Sequence, residues 1–258
     1  MSVFFNPVEA ESILLQSTTS TKNSGLYDHL LPRFSSDTGI TVNVVAVGTG
    51  QALRNARNGD ADVLLVHARE AEEAFVRDGF GVERFDLMYN DFVIVGPRAD
   101  PADIRNSTNA GTALQKISAS GSLFTSRGDD SGTHKKERML WQQSGIDVDI
   151  HSGSWYRETG SGMGATLNIA IGLGAYALTD RATWISFENK HDFTIHVEGD
   201  QRLHNQYGVI LVNPDKHLHV KQAAAQTFID WLLSSAGQSS IAGYKLDGEQ
   251  LFFPNASR

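Results

Sequence analysis

Ile40-Thr41-Val42-Asn43-Val44-Val45-Ala46-Val47 is an almost unbroken β-branched run, closed by Gly48-Thr49-Gly50. Such side chains fit a pleated surface, and a run with so few polar interruptions predicts a strand covered on both faces. Residues 51–58, stopped by Gly59, predict a short helix. The same order of strand, turn and helix recurs on either side. Ile13-Leu14-Leu15 runs into five successive hydroxyl residues, Ser17-Thr18-Thr19-Ser20-Thr21. An amphipathic stretch follows, with Leu26, Tyr27, Leu30, Leu31 and Phe34 at helical spacing; Pro32 is expected to interrupt it and Gly39 to end it. Residues 61–66 predict a buried strand, 69–78 a helix, and 92–96 another strand ended by Pro97. Alternation of this kind predicts an α/β fold, a mostly parallel sheet wrapped by helices.

Residues 98–109 are polar and irregular, which places a domain crossing near residues 96–99. A second α/β pattern then begins. Leu123-Phe124-Thr125 predicts a strand, residues 133–144 a helix closed by Gly145, and residues 155–164 a glycine-rich connection into a helix carrying Leu167, Ile169, Ala170 and Ile171. Ala175-Tyr176-Ala177-Leu178 predicts a small-residue strand that ends at Thr179-Asp180-Arg181, the end at which open α/β sheets place ligands. Thr194-Ile195-His196-Val197 reads as a strand returning to the first domain, residues 207–214 as a further strand and 221–235 as a helix. The tail Leu251-Phe252-Phe253-Pro254 is expected to pack locally. One lobe is therefore expected from both ends of the chain, residues 1–97 plus 195–258, and the other from residues 98–194.

A chain of 258 residues with 40% apolar content can bury a substantial core. Its 22 basic and 30 acidic residues give a net charge of −8, so there is no global footprint for nucleic acid or an anionic membrane surface. Exposed charges beyond about 10 Å are largely screened at 0.1 M salt, so local donors decide whether a small anion binds. The absence of cysteine excludes disulfides, thiolate metal sites and thiol nucleophiles. No apolar run reaches the ~18 residues of a membrane span. Residues 1–7 lack the basic and apolar regions of a signal peptide.

The stretch Ser126-Arg127-Gly128-Asp129-Asp130-Ser131-Gly132-Thr133-His134-Lys135-Lys136-Glu137 concentrates glycines, hydroxyls and an arginine directly before a predicted helix. Asp130 or Ser131 can cap that helix, leaving first-turn N–H groups at a positive terminus suited to an anion. Lys135 and Lys136 fall in the same first turn, where the macrodipole disfavours cations; a bound anion would relieve that conflict.

Six blocks in this order, Ser17-Thr18-Thr19-Ser20-Thr21, Val47-Gly48-Thr49-Gly50-Gln51-Ala52-Leu53, Gly59-Asp60-Ala61-Asp62-Val63, Tyr89-Asn90-Asp91-Phe92-Val93-Ile94-Val95-Gly96-Pro97, Ser126 through Thr133, and Leu178-Thr179-Asp180-Arg181, resemble the tungstate-binding proteins of tungstate ABC importers. Ser17 stands where members often carry threonine. The resemblance implies a two-lobed periplasmic binding-protein fold of type II with a tetrahedral oxyanion in the interlobe cleft. It implies hinge closure, an extracytoplasmic location, an ABC permease as partner, and a monomer with no catalytic residue, cofactor or metal. It further implies ligand contacts from Thr18, Thr19, Ser20, Thr49, Ser126, Arg127, Ser131, Thr133 and Thr179. The chemistry of these side chains agrees: a desolvated dianion must be compensated by donors and usually a cation, and Arg127 offers a fork of donors that never deprotonates. Arg181 is expected to pair with Asp180 or another acid and shape the pocket.

Molybdate, sulfate and phosphate are alternative ligands, and phosphate would want a carboxylate such as Asp129 or Asp180 to accept its proton. A hydrolase using Asp129, Asp130 and His134 is a remoter alternative, with no metal or nucleophile-elbow motif to support it. His191, His196, His204, His217 and His219 fit no metal spacing and are expected at the surface.

Overall fold

The computed structural model describes residues 11–256; residues 1–7, read for a targeting signal, lie outside that range. The chain runs β1 (Ser12–Thr18), α1 (Thr19–Asn23), α2 (Leu26–Thr38), β2 (Thr41–Val47), α3 (Thr49–Asn58), β3 (Val63–Val66), α4 (Arg69–Arg77) and the 17-residue β4 (Gly81–Pro97). It continues with α5 (Ala110–Ser120), β5 (Phe124–Ser126), α6 (Gly132–Gln143), β6 (Tyr156–Glu158), α7 (Met163–Leu173), β7 (Tyr176–Asp180), α8 (Arg181–Ser186) and β8 (Phe193–Val197). It closes with β9 (His204–Val212), α9 (Gln222–Leu233), α10 (Ser235–Gly243), β10 (Lys245–Leu246), β11 (Glu249–Gln250) and β12 (Phe253–Pro254).

Two compact units result. Unit 1 comprises the chain up to Met88, Gln206–Tyr244 and the residues from Phe252 on; unit 2 comprises Tyr89–Asn205 and Lys245–Leu251. Of the four crossings, two bracket the short Lys245–Leu251 segment, and the other two fall at Met88/Tyr89 and Asn205/Gln206, several residues from the breaks expected near residues 96 and 195. The reason is that β4 and β9 each continue through a crossing as regular strand, so no turn chemistry marks it. β8 correspondingly belongs to unit 2, where it pairs antiparallel with residues 94–97 of β4 rather than returning to unit 1.

In unit 1 the strand order is β2-β1-β3-β9, with β4 beside β9. β1 is parallel to β2 and β3, and β9 is antiparallel to β3. β2 lies at the edge and is half-exposed, so its apolar run reports strand propensity and not the two-sided cover expected of it. Pro32 does not break α2. It sits on the exposed face, where water can take the carbonyl that its missing N–H leaves over, and the helix ends on Gly39 at φ 75°. The tail joins the sheet through β12 against β4, and Phe252 is fully buried.

Beneath this sheet Glu72 is completely buried. It accepts the Ala68 N–H and, at 2.7 Å, Arg84 Nε, while Arg84 also reaches Asp86. Burial holds the Glu72 carboxyl above its usual range, against the pull of Arg84. Gly208 of β9 makes room for the pair: a Cβ there would come within 2.1 Å of Glu72 Oε2.

In unit 2 the order is β4-β7-β5-β6, with β6 and β7 parallel to β5 and β7 antiparallel to β4. α5, β6, α8 and α10 have no counterpart in the sequence reading; β6 and α8 are only three and six residues long, too short to show a period. One apolar layer packs Leu114, Ile117, Phe124, Trp141, Tyr156 and Tyr176 together, and a second, with Val93, Val95, Leu167 and Ala177, lies under α7.

Arg84→Met, which leaves Glu72 buried without its cation, is expected to destabilise the protein by about 3 to 5 kcal/mol; urea denaturation with an unchanged slope checks this.

Candidate functional site

In unit 1 the parallel register sets Thr18 opposite Val47 and Ser17 opposite Leu65, so three strands end at one sheet edge. Ser17 turns inward, its hydroxyl donating to the Leu65 carbonyl at 2.8 Å and lying 2.5 Å from Tyr27 Oη. Thr18 caps α1: it is buried, and its Oγ1 accepts from Thr21 N at 3.3 Å while touching the hydroxyls of Thr21 and Ser20. Thr19 and Ser20 are exposed in the first turn of α1. Thr49 opens α3 and is half-buried. The N-cap of that helix is Gly48, which has no side chain to offer, so the N–H groups of Thr49 and Gly50 remain as first-turn donors.

His67, at the end of β3, was not singled out from sequence. Its Nε2 lies 3.4 Å from Ser20 Oγ and its ring packs on Tyr207. The available signal was its position, immediately after a strand whose neighbours end in ligand-type loops.

Unit 2 repeats the arrangement. β5 is parallel to β6 and β7, bringing Ser126-Arg127, Thr159-Gly160 and Thr179-Asp180 to one edge. Ser126 is fully buried, and its Oγ has no hydrogen-bond partner among the described residues. Arg127 binds Asp129 through Nη2 at 2.5 Å and Nε at 3.1 Å, which leaves its Nη1 donors over. Burial works against the Asp129 carboxylate, but the bonds from Ser131 and Arg127 win and hold its pKa below the ordinary range.

Ser131, not Asp130, is the cap of α6, its Oγ accepting from His134 N at 3.2 Å. Thr133, the second helical residue, is nearly buried. Thr159 Oγ1 reaches the carbonyls of Ser126 and Arg127, and Ser161 N donates to the latter at 3.1 Å, so the loop before α7 pins the loop before α6. Gly128 is required here: it has φ 60°, and a Cβ would meet the Glu158 side chain at 2.9 Å. Two helices, α6 and α7, thus begin beside Arg127, adding N-terminal dipoles to its charge. Neither first-turn lysine opposes them freely: Lys135 lies 3.4 Å from Asp130, and Lys136 donates to the His204 carbonyl.

Thr179 is fully buried in β7, its hydroxyl donating to the Asp180 carbonyl at 3.2 Å. Asp180 caps α8 through Thr183 N and Oγ1. Arg181 pairs with acids other than Asp180, namely Asp91 at 2.6 Å and Glu198 at 2.7 Å.

Each of the two edges therefore collects N–H and O–H donors, and the carboxylates near them are engaged by the protein. That arrangement suits an oxyanion without protons of its own. Asp129 is held by Arg127, Asp130 sits exposed at φ 57°, and His134 Nδ1 accepts from Asp130 N, so all three shape the loop. The described residues contain no group of three or more metal-ligating side chains. His196 departs from the surface expectation, being buried with Nε2 3.0 Å from the Pro97 carbonyl. His217 and His219 meet carbonyls at the C-terminal end of α3.

Comparison with known proteins agrees with this chemistry. Residues 7–236 match the PBP superfamily domain. The chain is 49% identical to the tungstate-binding protein TupA of Peptoclostridium acidaminophilum, over 96% of this chain and 87% of that one. It is 47% identical to a putative ABC transporter anion-binding protein of Haloferax volcanii, over 95% and 72% respectively. The structure of the tungstate-binding protein TupA of Desulfovibrio alaskensis G20 superposes with a TM-score of 0.91 at 48% identity, covering 96% of this chain and all of that one.

Ser131→Ala is expected to reduce stability by about 1 kcal/mol through loss of the α6 cap, measured as a lower urea midpoint.

Proposed function

Because the chain belongs to the PBP superfamily and, within it, to the family of tungstate-binding TupA proteins, we propose that it captures tungstate outside the cytoplasm and delivers it to an ABC permease without chemical change. The observation that carries this reading is the buried, unpartnered Ser126 hydroxyl beside Arg127, where two helices begin. A hydroxyl without a well-aligned partner in a dry site costs about 1 to 3 kcal/mol, and a ligand competes for its proton with the Glu137 carboxyl that lies beside it. The donors offered to the ligand are Thr19, Ser20 and Thr49 within unit 1, and Ser126, Arg127 and the α6 terminus, with Ser131 and Thr133, within unit 2. Thr18 acts through the shape of its loop, and Thr179 through its backbone at the strand end.

Charge decides the ligand class. The side chain of Arg127 is shared with Asp129, so neutral donors and helix termini supply much of the compensation. That selects a compact dianion over a bulkier carboxylate ligand. A protonated phosphate needs an acceptor, and both Asp129 and Asp180 are already occupied by protein donors.

Tungstate at about 1,000 times its dissociation constant should add roughly 4 kcal/mol of stability, a rise of about 8 to 16 °C in Tm for a protein of this size. Sulfate and phosphate should shift it less, and no shift with any of these anions would refute the assignment. Arg127→Glu should weaken tungstate binding by ~3 kcal/mol or more, with an unchanged circular dichroism spectrum. Thr49→Val should weaken it by about 1 to 3 kcal/mol in calorimetry.

A further inference from the structure

Glu137 lies in α6 one turn beyond Thr133, on the same helical face, and is almost completely buried. Its Oε1 accepts from Tyr156 Oη at 2.7 Å and from Trp141 Nε1 at 3.2 Å. The Ser126 hydroxyl lies beside the same carboxyl group, outside strict hydrogen-bond geometry. Among the described residues no cation hydrogen-bonds to this carboxylate. Arg138, the next residue, forms a two-pronged pair with Asp149. The elements packed on α6 face this region with Ala113, Leu114 and Ile117 from α5, Phe124 from β5 and Leu178 from β7, all apolar. Among the described residues, Tyr156 from β6 is the titratable group bonded to this carboxyl, and the Arg138 guanidinium, itself bonded to Tyr156, exerts a weaker lowering pull on it.

A buried acid directly behind a dianion site presents a physical conflict. Ionised, it repels the ligand and competes for the Ser126 proton. Neutral, it does neither, and Ser126 is left to donate to the oxyanion. Resting on the tungstate reading above, we propose that Glu137 is a positioning residue that binds a proton when the oxyanion binds, turning the Ser126 hydroxyl toward the ligand and making affinity depend on pH.

Burial is the largest influence on Glu137 and pushes its carboxyl up to about 7, against the lowering effect of the Tyr156, Ser126 and Trp141 donors. The protein without ligand therefore holds a mixture of both forms near neutrality. A nearby dianion favours the protonated form further, so binding takes up a proton. The sign follows: affinity is full below pH 7 and falls above it, by up to about tenfold per pH unit for one linked proton.

The test is titration calorimetry of the full chain with sodium tungstate from pH 6 to 9, repeated at pH 7.5 in HEPES and in Tris to count protons. Wild type is expected to take up about half a proton or more. Glu137→Gln, close to isosteric and permanently neutral, should bind tungstate at pH 8.5 as wild type does at pH 6 and lose the pH dependence. Tyr156→Phe removes a donor that favours the ionised form, so the break should move to higher pH; this arm stands if the Gln variant fails to fold. Tungstate binding with no proton uptake, or with the same pH profile in Glu137→Gln as in wild type, overturns the role of Glu137. Absence of tungstate binding by wild type at every pH overturns the functional reading itself.

Discussion

The parallel register of short strands is the constraint on which the rest depends. In unit 1, β1 is hydrogen-bonded to β2 and β3 with all three running the same way; in unit 2, β5 stands in the same relation to β6 and β7. Parallel strands must be joined by crossovers, so every strand end at one edge is followed by a turn into a helix. Loops whose residues are far apart in sequence, such as those at Thr18 and Thr49 or at Ser126 and Thr159, are gathered there by the strand register. The helix N-termini come with them, and with the termini come unsatisfied N–H groups.

Hydroxyl residues at these edges divide into two kinds of work. Ser17, Thr18, Ser131 and Thr159 spend their oxygens on the protein, capping helices or bridging one loop to the next. Ser126, buried and unpartnered, remains over for a ligand, and Thr19 and Ser20 lie exposed at the unit 1 edge. A hydroxyl-rich motif is therefore not equivalent to a set of contacts, since part of its content is needed to hold the loop still. The same division applies to charge. Arg127 carries the positive charge, while Asp129 fixes its fork and moderates the field.

The strand-turn-helix alternation, the six motif blocks and the cap position of α6 within a residue were legible in sequence, because propensity, glycine stops and hydroxyl caps act over a few residues. The crossings between units were not. β4 continues from Gly81 to Pro97 through the boundary at Met88, and a strand that does not change its backbone leaves no mark in composition. The effect of Pro32 is hidden for a related reason: the penalty for proline in a helix falls when the orphaned carbonyl faces water, and which face looks outward is set by packing.

What the sequence by itself determined is the chemistry on offer: donors in place of acceptors, one arginine beside a helix start, no thiol, and an α/β order of elements. These follow from side-chain identity and local backbone preference. What only the tertiary structure decided is which groups are free to act. Burial of Ser126 without a partner, the pairing of Arg127 with Asp129 and of Arg181 with Asp91, and the placing of Glu137 behind Ser126 all arise from contacts between segments. Desolvation and hydrogen-bond competition depend on those contacts, and so does the capacity of the site to hold a charge.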